Sequence, residues 1–202
     1  MTSFKKRFRI FATLVAMMLV TIMMSMGIYA AQQIKATTSG SVALASSGDV
    51  LASVKIIKSQ TGEAEATVVD KTYDRAFEEG AASYGETYAL GDVVFAKVTD
   101  YVDYKIIVTN NFDTTTKVNL TVNWRTMNVP EPLKLELLNE SGSGALTLGS
   151  AIAIEKGATA TVIVRVSLDQ SKVTAVQKEN GFQKTDYSFE IIVEKGSTQT
   201  NS

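Results

Sequence analysis

From Ala158 to Leu168 the chain alternates without a break. Ala158, Ala160, Val162, Val164, Val166 and Leu168 fall on one side, and Thr159, Thr161, Ile163, Arg165 and Ser167 on the other. Only an extended strand turns successive side chains to opposite faces, so this period of two predicts a half-buried β-strand. The pattern recurs along the chain. Val50, Ala52, Val54 and Ile56 form one row, and Val102, Tyr104, Ile106 and Val108 another. Val118, Leu120, Val122 and Trp124 are set against Lys117, Asn119, Thr121 and Asn123, while Leu133, Leu135 and Leu137 alternate with Lys134 and Glu136. Tyr187, Phe189, Ile191 and Val193 make a last inward row. After Gly91-Asp92 we read Val94, Ala96 and Val98 as inward.

Turn signals separate these runs. They include Asn110-Asn111-Phe112-Asp113 and Glu155-Lys156-Gly157, with a strand pair or bent strand from Ala145 to Ile154 around Gly149-Ser150. About seven to nine short strands with such spacing predict an all-β sandwich, jelly-roll or Ig-like, over residues 46–195. Two segments read less like strands. Thr72 to Leu90 carries Tyr73/Phe77 and Tyr84/Tyr88 at helical spacing, which suits one or two helical turns. Ser171 to Asn180 suits a short helix capped by Ser171 and ended by Gly181. Residues 196–202 read as a disordered polar tail.

The first thirty residues differ in kind. Lys5, Lys6, Arg7 and Arg9 precede an apolar run from Ile10 to Met26, which closes on Gly27-Ile28-Tyr29-Ala30-Ala31. This is the order of a secretory signal peptide, with cleavage expected after Ala30 and, second, after Ala31. The run is also long enough for an uncleaved anchor. Processing on its basic side, as for a type IV pilin helix, would want a small residue after the basic cluster, where Phe8 and Ile10 stand. Signal peptidase is then a partner, and the membrane is met only through this segment before cleavage. The product is expected to be secreted, at the cell surface or beyond. Cleavage after Ala30 removes four of the 20 basic residues and none of the 21 acidic ones, leaving 16 against 21 and a net charge of −5. That sign argues against a nucleic-acid partner.

The chain has neither Cys nor His. No disulfide can staple the fold, no Ser-His-Asp or Cys-His nucleophile can be assembled, and no ordinary zinc or copper site can be built. We therefore expect no enzyme, no catalytic residue and no cofactor. A hydrolase would need Asp or Glu residues converging in a cleft. A structural calcium ion could draw on Asp100 and Asp103, or on Asp70, Asp74, Glu78, Glu79 and Glu86, although none has EF-hand spacing. Asn119-Leu120-Thr121 and Asn139-Glu140-Ser141 are N-glycosylation sequons. Tyr73, Phe77, Tyr84 and Tyr88 could make a contact patch or a loop tucked over one end of the sandwich.

Tyr104–Asn111, Val118–Trp124, Ala153–Val162 and Tyr187–Ile191 succeed one another as in many secreted prokaryotic sandwiches. The front end narrows the likeness: a signal peptide, then Ser39-Gly40-Ser41-Val42-Ala43-Leu44-Ala45, a second strand Val50–Ile57, and the lead-in Ala89-Leu90-Gly91-Asp92. In this order the chain resembles the TasA/camelysin group of biofilm-matrix proteins and the related archaeal bundling pilins. Ala30-Ala31-Gln32-Gln33 stands where the bacterial members carry an aromatic Ala-Tyr-Phe stretch, which points to the archaeal branch or a more distant relative. The resemblance implies a jelly-roll-like subunit that lends its N-terminal segment to a neighbour's sheet, so that copies of the chain join head to tail.

Residues 31–45 suit such a donor strand. Ala31 is freed by signal cleavage; Ile34, Ala36 and Thr38 fall on one face, and Val42 and Leu44 continue it after Gly40. The same pattern would also serve a first strand in the chain's own sheet, or a linker. A monomeric Ig-like module that binds at the cell surface is the alternative to a fibre subunit.

Overall fold

A computed structural model describes residues 17–18, 33–46, 50–60, 63–74, 84–125, 131–173 and 185–196. The signal segment (Met17 and Met18 apart), both cleavage positions and the C-terminal tail expected at 196–202 (Gly196 apart) lie outside these residues. Among the described residues ten strands form an all-β sandwich: β1 Gln33–Ser46, β2 Ala52–Gln60, β3 Ala66–Tyr73, β4 Tyr84–Lys97, β5 Tyr101–Asn110, β6 Val118–Trp124, β7 Leu133–Asn139, β8 Ile152–Ile154, β9 Thr159–Leu168 and β10 Thr185–Lys195. One sheet runs β4-β1-β10-β6-β8 and the other β3-β2-β5-β9-β7. All neighbours are antiparallel except β1 and β10, which run parallel.

The core is made of the inward rows read from the alternation. In the second sheet Val54 and Ile56 lie beside Val108 and Ile106, and Val102, Tyr104 and Ile106 beside Val166, Val164 and Val162. All of these are at most 1% exposed. Facing them are Val42, Leu44, Val118, Leu120, Phe189, Ile191 and Val193, equally buried. Each such side chain stabilises the fold by about 1.5–3 kcal/mol relative to exposure, which is why an unstapled chain can hold together. Trp124 sits at the margin, half-buried, its ring edge-on to Phe189 at 6.4 Å and 84°.

Asn110 ties the two sheets at one end. Its side-chain amide donates to the carbonyls of Thr116 and Ile154, each at 2.9 Å, and its Oδ1 accepts from the Phe112 amide. Its own backbone bonds Ala158 and Gly157. One buried side chain thereby closes β5, the turn after it and β8.

The phase expected for β4 is wrong after Gly91. Val93 and Phe95 are fully buried, and Val94 is 46% exposed. The cause is a β-bulge. Gly40 pairs with Gly91 but Ser41 pairs with Ala89, so Leu90 is an extra residue on β4. Gly91 takes φ +75°, a conformation costly for any residue with a Cβ. The inserted residue, itself buried, reverses the parity: Glu86 and Tyr88 point inward before it, and Val93 and Phe95 after it.

Of the two segments read as helical, the first is strand at both ends. Thr72 and Tyr73 finish β3, and Tyr84 to Leu90 begin β4; an i,i+4 pair shares a face in a strand as well as in a helix. Residues 75–83 lie outside the described residues. In the second segment Ser171 gives its Oγ–H and amide to Asp169 in a turn, and the helix expected over 171–180 lies, from 174 on, outside the described residues.

Candidate functional site

β1 is an interior strand of its sheet, between β4 and β10. Nine positions from Thr38 to Ser46 pair with β10, and Gln33 to Ser46 pair with β4 on the other side. The segment drawn as an extension at 31–45 is therefore, from Gln33 on, an integral strand of the chain's own sandwich. Of the candidate donor residues, Ala36, Thr38, Val42 and Leu44 are each at most 1% exposed and point into the core. Ile34 lies on β1, but its side chain, like Ala31, is outside the described residues.

The inward row of β1 is Ala36, Thr38, Gly40, Val42, Leu44 and Ser46. It is mostly small, as a narrow slot requires. Among the described residues, the buried hydroxyls Thr38 Oγ1 and Ser46 Oγ have no hydrogen-bond partner. A buried hydroxyl without a partner costs about 1–3 kcal/mol. β1 thus fits its slot by shape and backbone bonding while carrying two local penalties.

Gly40 is opposite Tyr187 of β10, and the Tyr187 ring lies over it. A Cβ on Gly40 would stand 2.5–2.6 Å from ring atoms and the hydroxyl. Tyr187 is pinned from the other sheet: its hydroxyl meets that of Tyr104 at 2.5 Å, and the rings are 6.3 Å apart. Burial pushes the Tyr104 phenol up to about 12, its bond to Tyr187 lowering it somewhat. Burial raises Tyr187 still more. The sequence reading missed this pair; a lone glycine inside an alternating row was the available signal.

β4, on the other flank of β1, is an edge strand. Lys58 and Gln60 of β2 donate to its carbonyls at Asp92 (3.0 Å) and Val94 (2.9 Å). Lys71 of β3 bonds Glu86 Oε1 at 3.0 Å, joining the edges of the two sheets, and Tyr88 donates to the other Glu86 oxygen. The Tyr88 bond first, and Lys71 second, hold Glu86 below its ordinary value. Tyr73 packs nearby, fully buried, and burial raises its phenol. Side chains thus cover an edge that would otherwise template further strands.

Three of the carboxylates named for calcium have other partners. Asp100 Oδ2 accepts the amides of Ala96 and Lys97, shaping the β4–β5 turn. Asp103 takes two bonds from Arg165, each 2.8 Å, while the guanidinium lies over Tyr101 at 4.0 Å. Glu86 is paired as above, and Glu78 and Glu79 are outside the described residues. Among the described residues no three carboxylates gather to hold a cation. Asn119 is half-buried on the outer face of β6. Asn139 is engaged: its Oδ1 accepts from Ser141 Oγ and from the amides of Ser143 and Gly144, building the turn after β7. Of the aromatic patch, Tyr73 is core and Tyr88 is half-buried against Glu86; the Tyr84 side chain and Phe77 are not described.

No family model matches this chain, and no curated protein does. Among solved structures, the yeast delta-COP-I mu-homology domain aligns over 81% of this chain and 96% of that one, at 10% identity and a TM-score of 0.16. At that score the likeness carries no argument about fold or function.

Proposed function

We propose that this chain is a secreted, non-enzymatic structural subunit of an extracellular filament, assembled by exchange of β1 between copies. What supports this reading is the topology of β1. It is the first strand, it bonds β4 and β10 along both backbone edges, and it makes the sandwich's only parallel pair among the described residues. Parallel neighbours cannot be joined by a hairpin. Once the signal is cleaved, the link from β1 to the rest of the described fold runs through positions 47–51 to β2 in the opposite sheet. It can leave its slot and be replaced by the β1 of another copy without disturbing any hairpin. The replacement makes the same bonds, so the exchange costs little at equilibrium, and the two orphan hydroxyls lower the cost of leaving. A copy that accepts one β1 and donates its own makes a head-to-tail contact that need not close, which gives a fibre. The likeness to the TasA/camelysin group points the same way.

Electron microscopy of the exported chain tests this. Filaments are expected, and a variant lacking residues 31–46 should form none alone. Filaments from that variant, or a strict monomer from the parent at every concentration, would sink the reading; the second outcome would favour a monomeric surface-binding module.

A further inference from the structure

We propose that Gly40 and Tyr187 together set the register in which a β1 strand is accepted, making them the specificity determinants of the slot. The inference rests on the exchange reading for its partner, a second copy's residues 33–46, but its geometry is complete within one chain.

A strand entering a slot can slip. A slip of one residue turns every inward side chain outward and is excluded by burial. A slip of two keeps the faces and would be tolerated by a slot that read only small side chains. Here it places Thr38 or Val42 opposite Tyr187 in place of Gly40. Both carry a branched Cβ, where the available distance to the ring is 2.5–2.6 Å. Tyr187 cannot step aside: it is 1% exposed, and its hydroxyl is held by Tyr104, itself fully buried. Gly40 is the only glycine between Gln33 and Ser46, so one register alone seats the strand. On the other flank Gly40 faces Gly91, where the β4 bulge begins, so both neighbours mark the same position. The ring recognises the absence of a side chain, and it rejects any extended segment without a glycine at that place.

The chain contains no Cys, so engineered pairs report register cleanly. Ser39 and Asp186 are register partners on the outer face, with Ser39 Oγ donating to Asp186 Oδ1 at 2.8 Å. Ser39→Cys/Asp186→Cys should crosslink in high yield. Adding Gly40→Ala should lower that yield by about tenfold or more, as forcing a methyl into a filled core does. Adding Thr38→Ala, the inward neighbour, should not. Because Gly40→Ala could simply unfold the chain, a second variant moves the notch. In Gly40→Val/Val42→Gly the strand should slip by two, so that Ser41→Cys/Asp186→Cys crosslinks and Ser39→Cys/Asp186→Cys does not. Full crosslinking in the Gly40→Ala background overturns the proposal, as does a swapped strand that crosslinks at position 39 or at neither position. Non-reducing gels keep the two readings apart. Crosslinks confined to single chains would sink filament exchange and leave the register assignment standing, whereas a ladder reports exchange whatever the register.

Discussion

Raising the pH should unfold this protein through its buried phenols. Tyr73, Tyr104 and Tyr187 are each at most 1% exposed, and all three are raised above the ordinary 10.0, Tyr104 to about 12 and the others further. A phenol with a raised folded value holds its proton more tightly in the native state. Its stabilisation is therefore intact below pH 10 and is lost as pH climbs toward the folded value. At pH 11 the unfolded phenols are mostly ionised and the folded ones are not, so each tyrosine costs about 1.4 kcal/mol. The three together cost about 4 kcal/mol, a large part of the 5–15 kcal/mol that a typical domain possesses. The folded values of Tyr73 and Tyr187 drop out, because they lie above this window, while folded Tyr104 begins to ionise near its top. Urea unfolding at pH 8, 10, 11 and 12, with tyrosinate absorbance followed in parallel, measures the slope. Between pH 11 and 12 it should be about 3.5 kcal/mol per unit, Tyr104 giving the smallest share. In Tyr104→Phe, which loses one proton, it should be shallower by under about a third, even though that variant is weaker at neutral pH by about 1–3 kcal/mol for the stranded Tyr187 hydroxyl. An unchanged slope in Tyr104→Phe, or phenols that ionise before the chain unfolds, would refute the argument.

Three further outcomes are expected. Asn110→Ala should lower unfolding free energy by about 2–4 kcal/mol, because it strands the Ile154 carbonyl and the Phe112 amide inside the protein; a loss under about 1 kcal/mol would show the end of the sandwich closes without it. Glu86 has a lowered folded value, so its contribution exists above its ordinary 4.5 and fades as pH falls through the folded one; Glu86→Gln should flatten the acid limb while costing under about 1 kcal/mol at pH 7, since the pair is part-exposed. Thr38→Val keeps the shape and removes an orphan hydroxyl, so it should raise stability by about 1 kcal/mol and slow filament growth by holding β1 in its own slot; a lower urea midpoint would mean the hydroxyl is bonded.

The sandwich itself was legible because period-two alternation needs no knowledge of partners. The row Val102, Tyr104, Ile106, Val108 is inward in any sheet that buries one face. β4 was misread because a bulge is a relation between two strands: Leu90 is surplus only when counted against Gly40 and Ser41. The helical reading of Tyr84/Tyr88 failed for a related reason, since a spacing of four satisfies both periods and only the neighbours decide. The slot was half legible. Alternation put Ala36, Thr38, Val42 and Leu44 on one face, but the same row results whether the strand fills its own chain's sheet or another's. Tyr187 over Gly40 joins positions far apart in the chain, and nothing local in either announces the other.

The parallel pairing of β1 with β10 also governs how the protein bears load. β1 begins at the chain's N-terminal side and β10 ends at its C-terminal side, side by side and pointing the same way. Tension drawn between those two ends runs along both strands in opposite senses. It loads the backbone bonds across all nine paired positions at once, in shear, where an antiparallel pair pulled from adjacent ends would open one bond after another. A strand held in shear yields only when the whole row gives way. This pairing therefore places the resistance along the line that joins those two ends.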